Sequence, residues 1–496
     1  MVSLTAIFTG YAFLTSLTID LQYNLIDKAQ NPANNKVEIW ISTQSGDRKL
    51  LKADDIFFEE STKEIPNGNS IKINPGETFQ IIDGMGSSFE PSTCYNLAQL
   101  PPAERENTMK MLLTSDQGIG MNLMRICMGT PDFTGDDWYS YCDLQEGETD
   151  TLLKLFSIEK DKKYIIPVLQ EALKINPGLR LFASPWSPPA WMKSSGKLTG
   201  GKLKPEFYAA YARYFVKFIQ AYAAEGIPVF AVTVQNEPGV DREHDVPKWH
   251  YPSCHWTAEE QRSFIKKHLG PALEHNGIKT EIWCYDHNYN VKPLTDDSPV
   301  FIPEKPGDAG IGFPRTILND PEASKFIKAM AFHGYTGEPE GMTIIQNEFP
   351  GVPVRFTEGS VFGLRGGIQL MNILKNRAVS YNAWVTMLDK NRKPNNGPFK
   401  AGRTIIERDI FKNKTLYHFD YYMYGHFMKF IKPGSIVISS KGEAEVSHFA
   451  CKDPDGNIVL ILINNRDKIQ NVNIIYAQQE AGVSLPANSV ATLKWK

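Results

Sequence analysis

Two glutamates in this chain end runs of residues that should be buried. Glu237 follows "VFAVTVQN" and is stopped at once by Pro238 and Gly239, while Glu358 closes "VPVRFTE" ahead of "GS". A lone carboxylate where a strand leaves the core is ordinarily a solvated end. Two carboxyls brought to one place by a fold can break a glycosidic bond. One protonates the leaving oxygen and the other attacks the anomeric carbon, which for retention of configuration puts them about 5–5.5 Å apart. The acid needs a raised pKa and the nucleophile must stay ionised, so their surroundings should differ.

More functional side chains collect at the ends of similar runs. Asp132 follows one in "TPDF", Trp186 ends another, and Asn236 precedes Glu237. Asp286 and His287 end "KTEIWCYDHN", His333 and Tyr335 lie in "AFHGY", and Trp384 lies in "AVSYNAWVTML". Carboxylates and amides grip several hydroxyls at once, and an indole face stacks on the apolar side of a pyranose. His333 also reads as a satisfied core histidine, and Asp286 and His287 read equally well as ordinary strand ends.

Such convergence demands a particular scaffold. Apolar strand candidates recur at 80–89, 120–129, 179–186, 229–238, 279–288, 331–335, 352–360 and 378–388, with helix-length stretches between most of them. In "KPEFYAAYARYFVKFIQAYAAEG" (204–226), Pro205 suits a first turn and Gly226 a stop. Phe207, Tyr211, Tyr214, Phe215, Phe218 and Tyr222 share one helical face. Eight β-then-α units fit an α/β fold, a (β/α)8 TIM barrel with its active site at the C-terminal ends of the strands. An open doubly wound sheet also fits the alternation, but no G-x-G-x-x-G or P-loop follows any of these strands. Both chain ends are β-rich instead, in "KVEIWIST" (36–43) and in "SIVISS", "NIVLILINN" and "SVATLKW". They predict a side β-sandwich built from N- and C-terminal segments. The expected boundaries are a leader or linker over 1–36, sandwich over 37–76, barrel over 77–432 and sandwich over 433–496.

Composition narrows the partners. A net charge of −3 over 496 residues gives no electrostatic reason to expect nucleic acid or an anionic membrane. The six cysteines show no CxxC or Cys/His spacing, so no structural metal is expected, and no cofactor is expected either. Cys127 and Cys284 sit in apolar runs and read as buried reduced thiols. Residues 1–19 are uncharged and moderately apolar but lack a basic start and a clean cleavage motif, and Ser and Thr dilute them. No integral membrane segment is expected there.

The stretches "FQIIDGMGSSF", "GIGMNLMRICMGTPDF", "LFASPWSPPAWMKSSG", "YARYFVKFIQAYAAEGIPVFAVTVQNEP", "HLGPAL", "VRFTEGS", "GHFMKFIKPGS" and "LPANSVATLKW" occur in this order. Together they resemble glycoside hydrolase family 30, the family of the acid β-glucosidases (glucosylceramidases) and their bacterial relatives. The resemblance implies a retaining β-glycosidase, foremost on β-glucosidic bonds, with Glu237 as acid/base, Asn236 on the sugar 2-hydroxyl and Glu358 as nucleophile. It matches Asp132, Trp186, His333, Tyr335 and Trp384 to positions that line the sugar subsite. Arg125 matches an arginine beside the catalytic carboxylates, and His287 is carried as a supporting residue. The implied partner is a β-linked glycoside or oligosaccharide, or a glycolipid, met outside the cytoplasm. Three loops depart from the glucosylceramidase pattern: "VTMLDKNRKPNNGPFKAG" after Trp384, "EGSVFGLRGG" at Glu358, and "GDDWYSYCD", which adds Trp138. The substrate therefore stays open among the family's glucosylceramidases, β-glucosidases, β-xylosidases, endo-β-1,6-glucanases and β-fucosidases. A carbohydrate-binding protein on a disabled scaffold would not need both glutamates. A metal-dependent barrel hydrolase would want an H-x-H after the first strand, which is lacking.

Overall fold

The computed structural model describes residues 35–60, 69–240, 250–292, 307–400 and 402–496. The expected leader, up to residue 34, lies outside the described residues. Eight parallel strands form the centre: β1 Gly84–Gly86, β2 Leu123–Met128, β3 Arg180–Pro185, β4 Val229–Thr233, β5 Glu281–Asn288, β6 Ile327–His333, β7 Val354–Glu358 and β8 Ala378–Asn382. Each falls within or overlaps one of the eight candidates from the sequence. Consecutive strands from β2 to β8 pair parallel around the sheet, with register shifts in several ladders, and β8 pairs with β1. Backbone hydrogen bonds from Asn122 N to Met85 O (3.0 Å) and Arg125 N to Ser87 O (2.9 Å) complete the ring between β1 and β2.

Inward side chains fill the barrel below the site. Leu123, Phe182, Ala231, Trp283, Ala329 and Ala331, one or two from each of β2 to β6, form a closed apolar layer. Beneath it the Arg355 guanidinium lies 4.5 Å from the Trp283 ring and pairs with Asp83 at 2.6 Å. The interior is thus plugged, and the polar strand ends face the opposite mouth. The helix Tyr208–Ala224 packs the predicted face inward: Tyr211, Tyr214, Phe215, Phe218 and Tyr222 are fully buried. Gly226, at φ +76°, turns the chain out of the helix in a conformation that a side chain would strain.

The second sheet joins both ends of the chain. Lys36–Thr43 pairs antiparallel with Ser489–Trp495, and Ser70–Ile81 lies between Ile436–Lys441 and Gln470–Tyr476. The pairing of Ile81 with Ile436 carries this sheet past residue 76, so the start of the 80–89 run belongs to the sandwich and only its middle is barrel strand. Strand Ile458–Asn464 is buried throughout because its alternating side chains serve two cores. Val459, Ile461 and Ile463 meet the barrel, and Ile458, Leu460 and Leu462 fill the sandwich.

The 378–388 run is also divided. After Asn382 the chain leaves the barrel, and Met387–Asp389 joins a three-stranded sheet with Ile406–Asp409 and Lys414–Tyr417. All six cysteines are free and buried. Among the described residues no helix is long and apolar enough to cross a membrane.

Candidate active site

Arg125 is the centre of the mouth. It stands on β2 with no exposed surface, and its guanidinium donates to Glu358 on β7, to Asn236 Oδ1 (2.9 Å) beyond β4 and to Asp286 Oδ2 (2.8 Å) on β5. A buried guanidinium is tolerable only when its charge and its N–H groups are matched. Burial works against its charge, but Asp286 and Glu358 more than restore it.

Asp286 is the second anchor. Its Oδ2 accepts from Arg125 (2.8 Å), Thr233 (2.7 Å) and Ser184 (3.0 Å), and its Oδ1 accepts from Thr357 (2.6 Å) with His333 Nε2 at 3.1 Å. Burial alone would raise this carboxyl, yet Arg125 and His333 hold it well below the ordinary carboxylate range. His333 is fully buried between three acids; burial lowers its pKa, but Glu358 and Asp286 lift it to about 9. The imidazole is therefore a cation near neutral pH, with Nδ1 3.3 Å from Glu237 Oε1.

The two glutamates sit differently. Glu358 takes the guanidinium at one oxygen and the Tyr335 hydroxyl, donated at 2.7 Å, at the other. Burial pushes its carboxyl up, His333 and Arg125 pull it down, and the nearby Glu237 adds to the rise. Glu237 receives no guanidinium from Arg125; Tyr251 donates to its Oε2 at 3.2 Å, and His287 Nε2 lies 3.8 Å from Oε1. One oxygen from each glutamate and one ring nitrogen of His333 lie within 4.8 Å of one another. Those three donors also have metal-ligand spacing, but the guanidinium on Glu358 already supplies the positive charge a cation would bring.

Backbone geometry aims Glu237. The ladder of β4 ends at Thr233, four residues sooner than the apolar run suggests, and Glu237 adopts φ +50°. Its N–H donates to Asp286 O at 3.0 Å, and Asp286 is itself at φ +76°. Paired left-handed backbones are costly for residues with side chains, and such strain collects where a side chain must be held in one direction.

Aromatic groups form one wall. Trp186 and Trp384 stack with centroids 5.2 Å apart, and the Arg125 guanidinium lies 4.9 Å from one ring and 5.5 Å from the other. Trp138 packs against the same group. Asp132 is buried nearby; burial, with Glu358 and Glu237 adding, raises its carboxyl well above the ordinary range. The loop after Trp384 closes over it: Gly397 N donates to Asp132 O at 2.9 Å, and a Cβ on Gly397 would come within 2.6 Å of Asp132 Cβ. Phe399 of that loop meets Tyr251 at 5.9 Å between centroids. Tyr335 stands at the rim, 43% exposed.

Every site residue singled out from the sequence therefore borders this mouth, His287 through its ring 6.1 Å from that of His333. The hydroxyls of Ser184, Thr233 and Thr357 and the role of Tyr251 are additions from the structure. A hydroxyl residue interrupts the apolar run near the end of β3, β4 and β7, which marks the positions but not the side they face.

The comparisons agree with this architecture. Residues 82–431 match the glycosyl hydrolase family 30 TIM-barrel domain, and residues 434–493 match the glycosyl hydrolase family 30 β-sandwich domain. An endo-1,6-β-D-glucanase of Neurospora crassa is 29% identical over 81% of this chain and 83% of its own length. The lysosomal acid glucosylceramidase of Mus musculus is 28% identical over 98% of this chain and 94% of its own length. Among solved structures, the endo-β1,6-glucanase BT3312 superposes with a TM-score of 0.79 at 30% identity, covering 93% of this chain and 99% of that one.

Proposed function

This chain belongs to glycosyl hydrolase family 30, and we propose that within it the protein is a retaining β-glucosidic hydrolase whose substrate is a β-1,6-linked glucan. Glu358 is the nucleophile and Glu237 the acid/base. The carrying observation is that an oxygen of each lies within 4.8 Å of one of the other, nearer the about 5–5.5 Å of a retaining pair than the wider gap of an inverting one.

The environments support the division of roles. Glu358 is the one in contact with the Arg125 guanidinium and the Tyr335 hydroxyl, which favour its ionised form and leave the acid role to Glu237. A proton on Glu237 also removes the repulsion that raises Glu358. Glu358 then attacks the anomeric carbon as the Glu237 proton passes to the leaving oxygen, giving a glycosyl ester. In the second half Glu237 takes a proton from water, which displaces Glu358. Asn236, fixed on Arg125 at 2.9 Å, offers its amide N–H to the 2-hydroxyl. The Trp186–Trp384 pair supplies the face for the ring, Asp132 supplies a hydrogen bond beside it, and His333 holds Asp286 and Glu237 in place.

The relatives named as endo-1,6-β-glucanases support the glucan, and the loops that depart from the glucosylceramidase pattern lie over the site. A glycosylceramide is the second reading, favoured by the mouse relative's match to 98% of this chain. A polymeric substrate also carries an extracytoplasmic place of action. The test is azide rescue on an aryl β-glucoside. Glu358→Ala should yield the α-glycosyl azide and Glu237→Ala the β-glycosyl azide. Near-normal rates in both variants would overturn the assignment.

A further inference from the structure

A cavity of about 440 Å³ opens at the seam between sandwich and barrel, apart from the residues described so far. Its walls come from Arg392, Arg403 and Glu407 in the excursion after β8, and from His418, Phe419 and Asp420 at the start of the helix Phe419–Met428. Asp420 accepts from Gly363 N at 2.5 Å, and Gly363 opens the helix that follows Glu358 and β7. The cavity therefore lies toward the end of the barrel where the strands finish.

Its chemistry is layered. The acids form the floor, with Glu407 and Asp420 side chains 9% and 3% exposed, and the bases form the rim, with Arg403 and His418 at 55% and 53%. Arg392 satisfies one oxygen of Glu407 at 2.7 Å. The other pairs are held apart: His418 Nε2 is 3.7 Å from Glu407 Oε1, and Arg403 Nη1 is 3.7 Å from Asp420 Oδ2. Those gaps are too long for direct hydrogen bonds. A hydroxyl set beside either pair, in reach of both groups, would donate to the floor carboxylate and accept from an N–H of the rim side chain. The two floor acids oppose an anion, and the two guanidiniums oppose a cation. Half-buried Phe419 adds an apolar wall. A neutral polyol with repeated hydroxyls and apolar ring faces meets all of these conditions, and the volume is in the range of small-ligand sites.

We infer that this cavity is a second binding site for a neutral glucan chain, distal to the hydrolytic mouth and engaged only by substrates long enough to reach it. The inference rests on the β-glucan reading above. It predicts a length-dependent effect. In Arg403→Ala/His418→Ala, kcat/KM on an aryl β-glucoside stays unchanged while KM for long β-1,6-glucan rises about fivefold or more. Retardation of the protein in a native gel containing β-1,6-glucan should weaken in parallel. Arg403→Gln, a change at an exposed side chain, repeats the measurement should the double variant fold poorly.

Equal retardation and equal KM in wild type and variants would overturn the distal site, whatever the enzyme cleaves. Failure of the wild type on every β-glucoside would overturn the catalytic reading instead. The gel still decides the distal site in that case, because retardation needs no turnover.

Discussion

Asp286→Asn removes one charge and almost no volume, and it should weaken both the fold and the site. The carboxylate accepts at Oδ2 from Arg125 (2.8 Å), Thr233 (2.7 Å) and Ser184 (3.0 Å), and at Oδ1 from Thr357 (2.6 Å) and His333 (3.1 Å). An amide keeps one acceptor oxygen but turns an NH2 toward the other three donors or the other two. The hydroxyls can rotate and accept from it; the guanidinium cannot. What is lost without remedy is the charge that partners Arg125 and His333. Breaking a buried pair by removing one partner costs about 3–5 kcal/mol. Hydroxyl rotation offsets part of that, so the expected loss is about 3 kcal/mol. His333, lifted to about 9 by Glu358 and Asp286 against the opposing effect of burial, should fall toward its ordinary value by about one pH unit or more. Urea unfolding followed by tryptophan fluorescence measures the first effect. Ring-nitrogen NMR, with His333 assigned through His333→Gln, measures the second. A stability change under about 1 kcal/mol with His333 still titrating near 9 would refute the view of Asp286 as the anchor.

Two further outcomes follow from the same contacts. Tyr335→Phe deletes the hydroxyl that donates to Glu358 at 2.7 Å, and a hydrogen bond to a charged group is worth about 1.5–3 kcal/mol. The variant should fold normally and lose about ten- to a hundredfold in kcat/KM on an aryl β-glucoside; an unchanged rate would mean that the bond has no part in the reaction. Stability should also depend on pH through His333 and Asp286. The histidine, raised from 6.5 to about 9, contributes fully below pH 6.5, and that contribution is lost as pH rises through 9. The aspartate, depressed from 3.8, contributes above that pH and is lost as pH falls through its lower folded value. Both are whole from about pH 4 to 6.5, so urea midpoints should be highest there, and His333→Gln should flatten the fall toward pH 9.

How far the sequence carries the site depends on whether the information is local. Glu237, Glu358, His333 and Trp384 could be picked out because each is a polar or aromatic stop on an apolar run, and a parallel barrel puts such stops at one mouth. The two-ended sandwich was visible for a similar reason, since short strands and turn residues differ in period from the helices between them. The roles of Ser184, Thr233 and Thr357 were not visible. A strand buried on both faces has no polar alternation, so nothing in the run tells an inward hydroxyl from an outward one.

Glu237 shows the limit most clearly. "VFAVTVQNEPG" reads as one strand ending on a carboxylate, yet its ladder stops at Thr233 and the glutamate stands in left-handed backbone. Its N–H is held at 3.0 Å by the carbonyl of Asp286, which comes from the neighbouring strand and carries its own positive φ. The Asp286 side chain meanwhile holds Arg125 and His333, which lie against Glu358 and Glu237 respectively. A single β5 residue thus sets the direction of one glutamate through its backbone and the charge around both through its side chain. That coupling exists only once β4 and β5 are adjacent, so no pattern within either strand could have announced it. It also separates the two roles experimentally: Asp286→Asn changes the charge and leaves the carbonyl that holds Glu237 in place.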